Sequence, residues 1–166
     1  TSYSEAGIRR AWSFQWFAEI ETVVDENTIL LKQPTRVDLN VSENATCALM
    51  PMLENIIISD LRFESNWKGG YKHHATKEAD YGWSAIGLHR AKNSTVRNIV
   101  IDNYTQGVQL VNSRNNIVEQ VKIIGVPGHY SVKLYHSNDN LFQDITVTAV
   151  RTHGPSVEGI SMGNVF

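Results

Sequence analysis

Six side chains towards the C-terminal end, His129, Lys133, Tyr135, Arg151, His153 and Glu158, bring bases, cations, a phenol and a carboxylate into one short stretch. A cation set against a substrate carboxylate acidifies the proton on the adjacent carbon. A His, Lys or Tyr then removes that proton while a second group protonates the leaving oxygen. On this chemistry Lys133 and Arg151 are the carboxylate partners and His129 or His153 is the base. Tyr135 is the proton donor or a platform for stacking. Hydrolysis is the rival and needs two carboxyls about 5–9 Å apart. Glu158 is its candidate acid, with Asp139 and Asp144 near the same face and Asp144 reading as structural.

These residues need a scaffold, and an internal repeat supplies one. A first strand pattern reads Leu53-Glu-Asn-Ile-Ile-Ile, Val96-Arg-Asn-Ile-Val-Ile, Val118-Glu-Gln-Val-Lys-Ile and Phe142-Gln-Asp-Ile-Thr-Val. Its third column is Asn55, Asn98, Gln120 and Asp144. A second pattern reads Ala85-Ile-Gly-Leu, Gly107-Val-Gln-Leu, Ser131-Val-Lys-Leu and Gly159-Ile-Ser-Met. Alternation of period two points Ile86, Val108, Val132 and Ile160 inward, followed by Leu88, Leu110, Leu134 and Met162. A coil of about two dozen residues suits a parallel β-helix, whose strands stack on their counterparts instead of folding back. The expected fold is therefore all-β, a right-handed parallel β-helix, the hand following from the usual sense of parallel crossovers. Asn93, Asn115, Asn116, Asn138 and Asn140 mark its turns.

Outward columns then follow from the alignment. One is Gly87, Gln109, Lys133, Ser161; the next is His89, Val111, Tyr135, Gly163; the turn after them holds Arg90, Asn112, His136 and Asn164. His89, Gln109 and His136 are read as substrate-binding, with Ala85, Gly107, Ser131 and Gly159 as a shallow floor beside them. Residues 67–83 form a long loop insertion rich in Gly, Lys, His and aromatics. Long loops on rigid scaffolds carry binding residues. Trp67, Tyr71, Tyr81 and Trp83 could stack on sugar rings, and Lys68, Lys72 and Lys77 could face acidic groups. His73 and His74 are read as poor joint metal ligands, because neighbours on extended backbone point apart.

Residues 1–52 read as an N-terminal helix and cap with the first strands, and 53–166 as the coils. Ser2-x-x-Glu5 is a capping box, and Ile8, Ala11, Trp12, Trp16 and Ile20 recur at helical spacing. Such a helix would cover the open end of the solenoid. Val23-Val24 and Thr28–Leu31 read as short strands. At the other end Asn164-Val-Phe166 resembles the opening of another coil. An unpaired end is an aggregation liability, so the expectation is a fragment of a longer β-helix, or an end covered by a second chain.

Composition narrows the function classes. The 166 residues carry a net charge of −2, which argues against nucleic acid. No apolar run reaches the roughly 20 residues that span a membrane. The charge is uneven: residues 84–166 hold 7 Lys/Arg and 5 Asp/Glu plus four of the six His, as a cationic face for an anionic ligand would. Cys47 is the single cysteine, so no internal disulfide forms. The chain starts at Thr1 without a signal segment, as a processed or excised chain would. The sequons at Asn40, Asn44, Asn93 and Asn103 suggest a secreted, N-glycosylated protein.

The coils from Leu53 to Phe166 resemble the pectin-lyase-like family of right-handed β-helices, which includes secreted polysaccharide lyases and family-28-type glycoside hydrolases. The likeness lies in the repeat shape and spans roughly two-thirds of the chain. It implies a polysaccharide lying in a groove along an outer sheet face, between protruding turns. The hydrolase branch implies paired aspartates and a later Gly-His-Gly. The corresponding stretches here are Gly128-His-Tyr-Ser-Val132, without the acid, and Gly159-Ile-Ser-Met-Gly163, with Glu158 where His would stand. The lyase branch implies an acidic cluster holding calcium, so Ca2+ is a candidate cofactor. Three functions follow as expectations: elimination on a uronate-containing polysaccharide, glycoside hydrolysis on the same scaffold, and a non-catalytic adhesin or tailspike-like segment that binds glycans.

Overall fold

The computed structural model describes residues 16–36, 38–39, 42, 46–67 and 69–166. Ser2, Glu5, Ile8, Ala11 and Trp12 of the expected capping helix, the sequons' Asn40 and Asn44, and Lys68 lie outside the described residues. The described end of that helix is not helical. Residues 16–19 are irregular and Ile20 opens strand β1 (Ile20–Asp25). β1 pairs antiparallel with β2 (Thr28–Leu31), so the two expected short strands form a hairpin. Asn27 N–H closes its turn by donating to Asp25 Oδ1 at 2.8 Å.

The rest is a parallel β-solenoid of about three turns. Its strands are β3 (Leu53–Glu54), β4 (Ile57–Glu64), β5 (Ser84–His89), β6 (Ala91–Lys92), β7 (Thr95–Asp102), β8 (Gln106–Val111), β9 (Ile117–Ile124), β10 (Gly128–Tyr135), β11 (Leu141–Val147), β12 (Arg151–His153) and β13 (Ser156–Glu158). One sheet runs β4–β7–β9–β11, a second runs β5–β8–β10–β12 with β13 also on β10, and β3–β6 forms a narrow third side. All pairs in these sheets are parallel. Val96 stacks on Val118 and Val118 on Phe142, at offsets of 22 and 24 residues shared by the neighbouring coil-to-coil hydrogen bonds. The expected inward columns Ile86–Val108–Val132 and Leu88–Leu110–Leu134 are stacked and buried.

Polar ladders run up the corners beside this apolar core. Asn116 N–H donates to Asn140 Oδ1 at 3.0 Å, and Asn140 N–H to Asn164 Oδ1 at 3.0 Å. Ser113 N–H likewise donates to Ser137 Oγ at 3.0 Å, and Ser137 N–H to Ser161 Oγ at 2.9 Å. Each side chain satisfies a backbone donor that the turn takes out of the sheet. The neighbouring column, Asn93, Asn115 and Asp139, occupies left-handed backbone with φ of 52°, 51° and 57°, which short polar side chains tolerate best.

Two rungs of the sequence alignment are displaced. Ile58 stacks on Val96, so Asp60 (φ 60°), not Asn55, shares the column of Asn98, whose Nδ2 donates to Asp60 Oδ1 at 2.6 Å. Leu53–Glu54 belongs instead to the third side, beside Ala91–Lys92. At the far end Lys133, Leu134 and Tyr135 stack on Ser156, Val157 and Glu158. Ile160 and Met162 therefore do not continue the inward columns. Gly159 (φ 65°) turns the chain out of the strand there, and a Cβ on it would lie 2.8 Å from the His136 ring. Val165 does pair with Leu141, and Phe166 stacks on Phe142 with ring centroids 4.9 Å apart.

The small column is not an open floor either. Gly107 and Ser131 are buried, and a Cβ on Gly107 would collide with the Ser131 carbonyl and the Ile123 side chain. Tyr130 and Lys133, three residues apart on β10, nonetheless meet, with Lys133 Nζ 4.3 Å from the Tyr130 ring centroid. Strict alternation would have put them on opposite faces.

Candidate functional site

The site forms where loop 67–83 folds onto the start of β10. A single wide helical turn over Glu78–Gly82 buries Asp80. His74 grips that carboxylate twice, with its N–H 3.1 Å from Oδ1 and its ring Nδ1 2.9 Å from Oδ2. Tyr71 OH donates to Oδ1 at 3.3 Å. Burial pushes the Asp80 carboxyl up, but the ring and backbone bonds from His74 outweigh it and hold it below the usual carboxylate range. The Asp80 carbonyl accepts from Gln106 Nε2, and Gln106 Oε1 accepts from Gln109 Nε2. Gln106 thus anchors the loop to the sheet and Gln109 braces it.

His129 sits at the centre with no exposed surface. Its Nδ1 is 3.4 Å from the Asp80 carbonyl and 4.0 Å from Oδ1, while its Nε2 is buried without a partner. Burial lowers its pKa, against the raising effect of Asp80. His73 and His153 close over it, their Nε2 atoms 3.3 Å apart. His73 and His74 lie on the same side, with ring centroids 3.7 Å apart. The expectation that they point apart fails because His74 is left-handed (φ 58°), and the rule of alternation holds only for extended backbone.

A second group adjoins the first. Lys133 Nζ lies 2.9 Å from Glu158 Oε2, Ser156 Oγ donates to Glu158 Oε1 at 3.2 Å, and Tyr130 hydrogen-bonds to the same carboxylate. Burial raises Glu158, but Tyr130 and Lys133 outweigh it and keep it ionised below its ordinary value. Burial and the Glu158 carboxylate together push the Tyr130 phenol far up, so it stays protonated. Tyr130 stacks on His153 with centroids 4.9 Å apart, joining the two groups. Tyr135 is half-buried beside Lys133, whose Nζ is 5.9 Å from its centroid.

Several expected site residues do other work. Arg151 turns under β10 and donates from Nη1 to the carbonyls of Tyr104 (2.7 Å) and Thr105 (3.1 Å). Burial pulls its guanidinium down to about 10, and a Cβ on Gly128 would overlap it. It acts as a strut through Nη1, while its Nε and Nη2 are buried without a partner. Fully buried His129 is unable to reach a polysaccharide as the base. His136 is a buried left-handed corner (φ 48°) whose Nδ1 accepts from Ile160 N–H at 3.2 Å. Trp67 and Trp83 are half-buried and tilt against each other, centroids 5.7 Å apart. His89 is exposed at the end of β5, where its ring lies over Gly87. Asp139 pairs with Arg36. Asn93 is an exposed corner that accepts from Asn115 Nδ2 at 2.7 Å, and Asn103 is half-buried with its Oδ1 accepting from Val126 N–H.

The chain was compared with family models, with curated proteins and with solved structures. It matches none of them. The chemistry of the site therefore rests on its own groups. Among the described residues no helix is long and apolar enough to cross a membrane. The groups that could ligate a metal there are His73/His129/His153 and His74/Asp80/His129. They are imidazole-rich, whereas calcium takes oxygen ligands, so the candidate Ca2+ has no all-oxygen cage among them.

Neutral His136 stabilises the fold as an acceptor, and burial holds its pKa below the usual value. The unfolded chain gains a proton there as pH falls through about 6.5, whereas the folded chain does so only at lower pH. The contribution is therefore complete above that value and declines as the pH drops through it. His136→Asn, which places the residue type of Asn112 at the equivalent corner, should flatten the loss of urea midpoint between pH 7 and pH 5. An unchanged slope would assign that pH dependence elsewhere.

Proposed function

We propose that the protein is a secreted, carbohydrate-active β-solenoid of the pectin-lyase-like kind, cutting a uronate-containing polysaccharide by β-elimination. The observation that carries this reading is one outer face holding two accessible imidazoles, His73 and His153, beside a protonated phenol and an ammonium. Lys133, whose Nζ is 2.9 Å from Glu158, meets the uronate carboxylate by turning from that ion pair towards it. His153 takes the proton from the acidified carbon, since its ring is partly open to solvent where that of His129 is not. Tyr135, half-buried beside Lys133, returns a proton to the leaving oxygen. Tyr81, half-exposed on the loop, offers a ring for stacking.

Hydrolysis is less well served. An ionised Glu158 is not a general acid at neutral pH, and Asp139 is tied to Arg36. Incubation with polygalacturonate, alginate and hyaluronate separates the readings. Elimination leaves an unsaturated, ultraviolet-absorbing end for every reducing end formed. Reducing ends without that absorbance would replace this proposal by hydrolysis, and glycan binding without either product would replace it by the adhesin-type reading.

A further inference from the structure

The three imidazoles of His73, His129 and His153 form a nearly equilateral set: every pair of ring centroids is 5.1 Å apart. Their ligand nitrogens all lie within 4.8 Å of one another, and His73 Nε2 and His153 Nε2 are separated by 3.3 Å. Zinc binds imidazole nitrogen at about 2.1 Å, and tetrahedral angles then put the nitrogens about 3.4 Å apart and the ring centroids about 5.2 Å apart. The three centroid spacings and the His73–His153 nitrogen separation fall close to those values.

We propose that His73, His129 and His153 form a three-histidine binding site for a divalent transition-metal ion such as Zn2+, with its fourth position open towards the outer face. His129 is the pre-set member. Its Nδ1 lies 3.4 Å from the Asp80 carbonyl, which can only accept, so a bond there puts the proton on Nδ1 and leaves the buried, unpartnered Nε2 with its lone pair. Metal-bound histidines characteristically donate their other N–H to a carbonyl or carboxylate in this way. Asp80 in turn is held by His74 and Tyr71, so the loop that delivers His73 is locked at its base. An imidazole set favours zinc, copper, nickel or iron over calcium or magnesium. The other group, His74, Asp80 and His129, is already closed by the 2.9 Å His74–Asp80 contact and serves as its support. The inference stands apart from the eliminative reading: a lone pair on His153 given to a metal is not available to take a proton, so the loaded and proton-abstracting forms are separate states of one surface.

The test is calorimetric titration of the full chain with Zn2+, with Co2+ absorption as the report of coordination. One Zn2+ per chain and the intense visible bands of four-coordinate Co2+ are expected. His73→Ala and His153→Ala alter loop and edge positions that the core does not need, and each should weaken binding about 100-fold or more. His89→Ala, on the exposed end of β5, should leave affinity unchanged. Absence of a stoichiometric site would overturn the proposal. So would affinity unaltered in the His73→Ala/His153→Ala double variant, or affinity lost with His74→Ala but kept in that double variant. Thermal unfolding of each metal-free variant at the wild-type midpoint shows that the loss is one of ligands.

Discussion

Replacing Asn140 by Leu should cost the solenoid about 2–4 kcal/mol, one of the largest losses available to a single substitution outside the apolar core. Asn140 is 1% exposed. Its Oδ1 accepts from both the backbone N–H and the Nδ2 of Asn116, and its Nδ2 donates to Asn164 Oδ1. Leu fills the same space but orphans the Asn116 backbone donor inside the stack. A buried amide left without an acceptor costs about 1–3 kcal/mol, and the broken rung above and below adds to it. The comparison is Gln143→Ala. Its amide donates to Glu119 at 2.6 Å across the same coils, but on the exposed side, so the change should stay within about 0.5 kcal/mol. Urea unfolding of the two variants measures both. Equal effects would mean that the inward ladder does not hold the coils.

Removing the His153 imidazole should abolish most of the activity without unfolding the chain. With a chelator present throughout, His153→Ala is expected to lower kcat/KM on a cleaved polyuronate about 100-fold or more, the scale of a lost general base. The residue lies on a three-residue edge strand, β12, and its ring packs against Tyr130 and His73 rather than the apolar column. The thermal midpoint should therefore move little. Full activity in His153→Ala, together with loss in His73→Ala, would transfer the base to the loop. Full activity in both would remove the imidazoles from the reaction.

The stacked coils were legible because period-two alternation and side-chain identity repeat together at spacings of 22 and 24 residues. The slips have physical causes. Leu53-Glu-Asn55 and Ile58-Ser-Asp60 each place an apolar residue two before a left-handed amide or acid, with φ of 60° at both corners, so the sequence matches either column. At the last coil the Gly-Ile-Ser-Met pattern competes with Ser156-Val-Glu158, and the left-handed turn at Gly159 decides between them. Within the site, Lys133 could be found from its outward column, and His153 and Glu158 from their places just before the last strand pattern. Asp80, Tyr130, His73 and His74 could not. Their convergence depends on a left-handed His74, one wide helical turn and the close approach of Gly107 to Ser131, none of which a two-residue period predicts. The bracing role of Arg151 was hidden for the opposite reason, since a cation on an edge strand looks solvated until its path beneath Gly128 is seen.

The whole arrangement depends on coils laid in register so that Gln109 lies beside Lys133 on adjacent parallel strands. Cys47 is free and exposed, so the measurement starts from Cys47→Ser. In that background Gln109→Cys with Lys133→Cys places two cysteines on strands about 4.8 Å apart, within disulfide range, whereas Gln109→Cys with Tyr135→Cys separates them by about 8 Å, beyond it. Mild oxidation followed by mass spectrometry of the non-reduced digest should find the 109–133 bridge and not the 109–135 bridge. A 109–135 bridge, or none, would contradict the register on which the site is built.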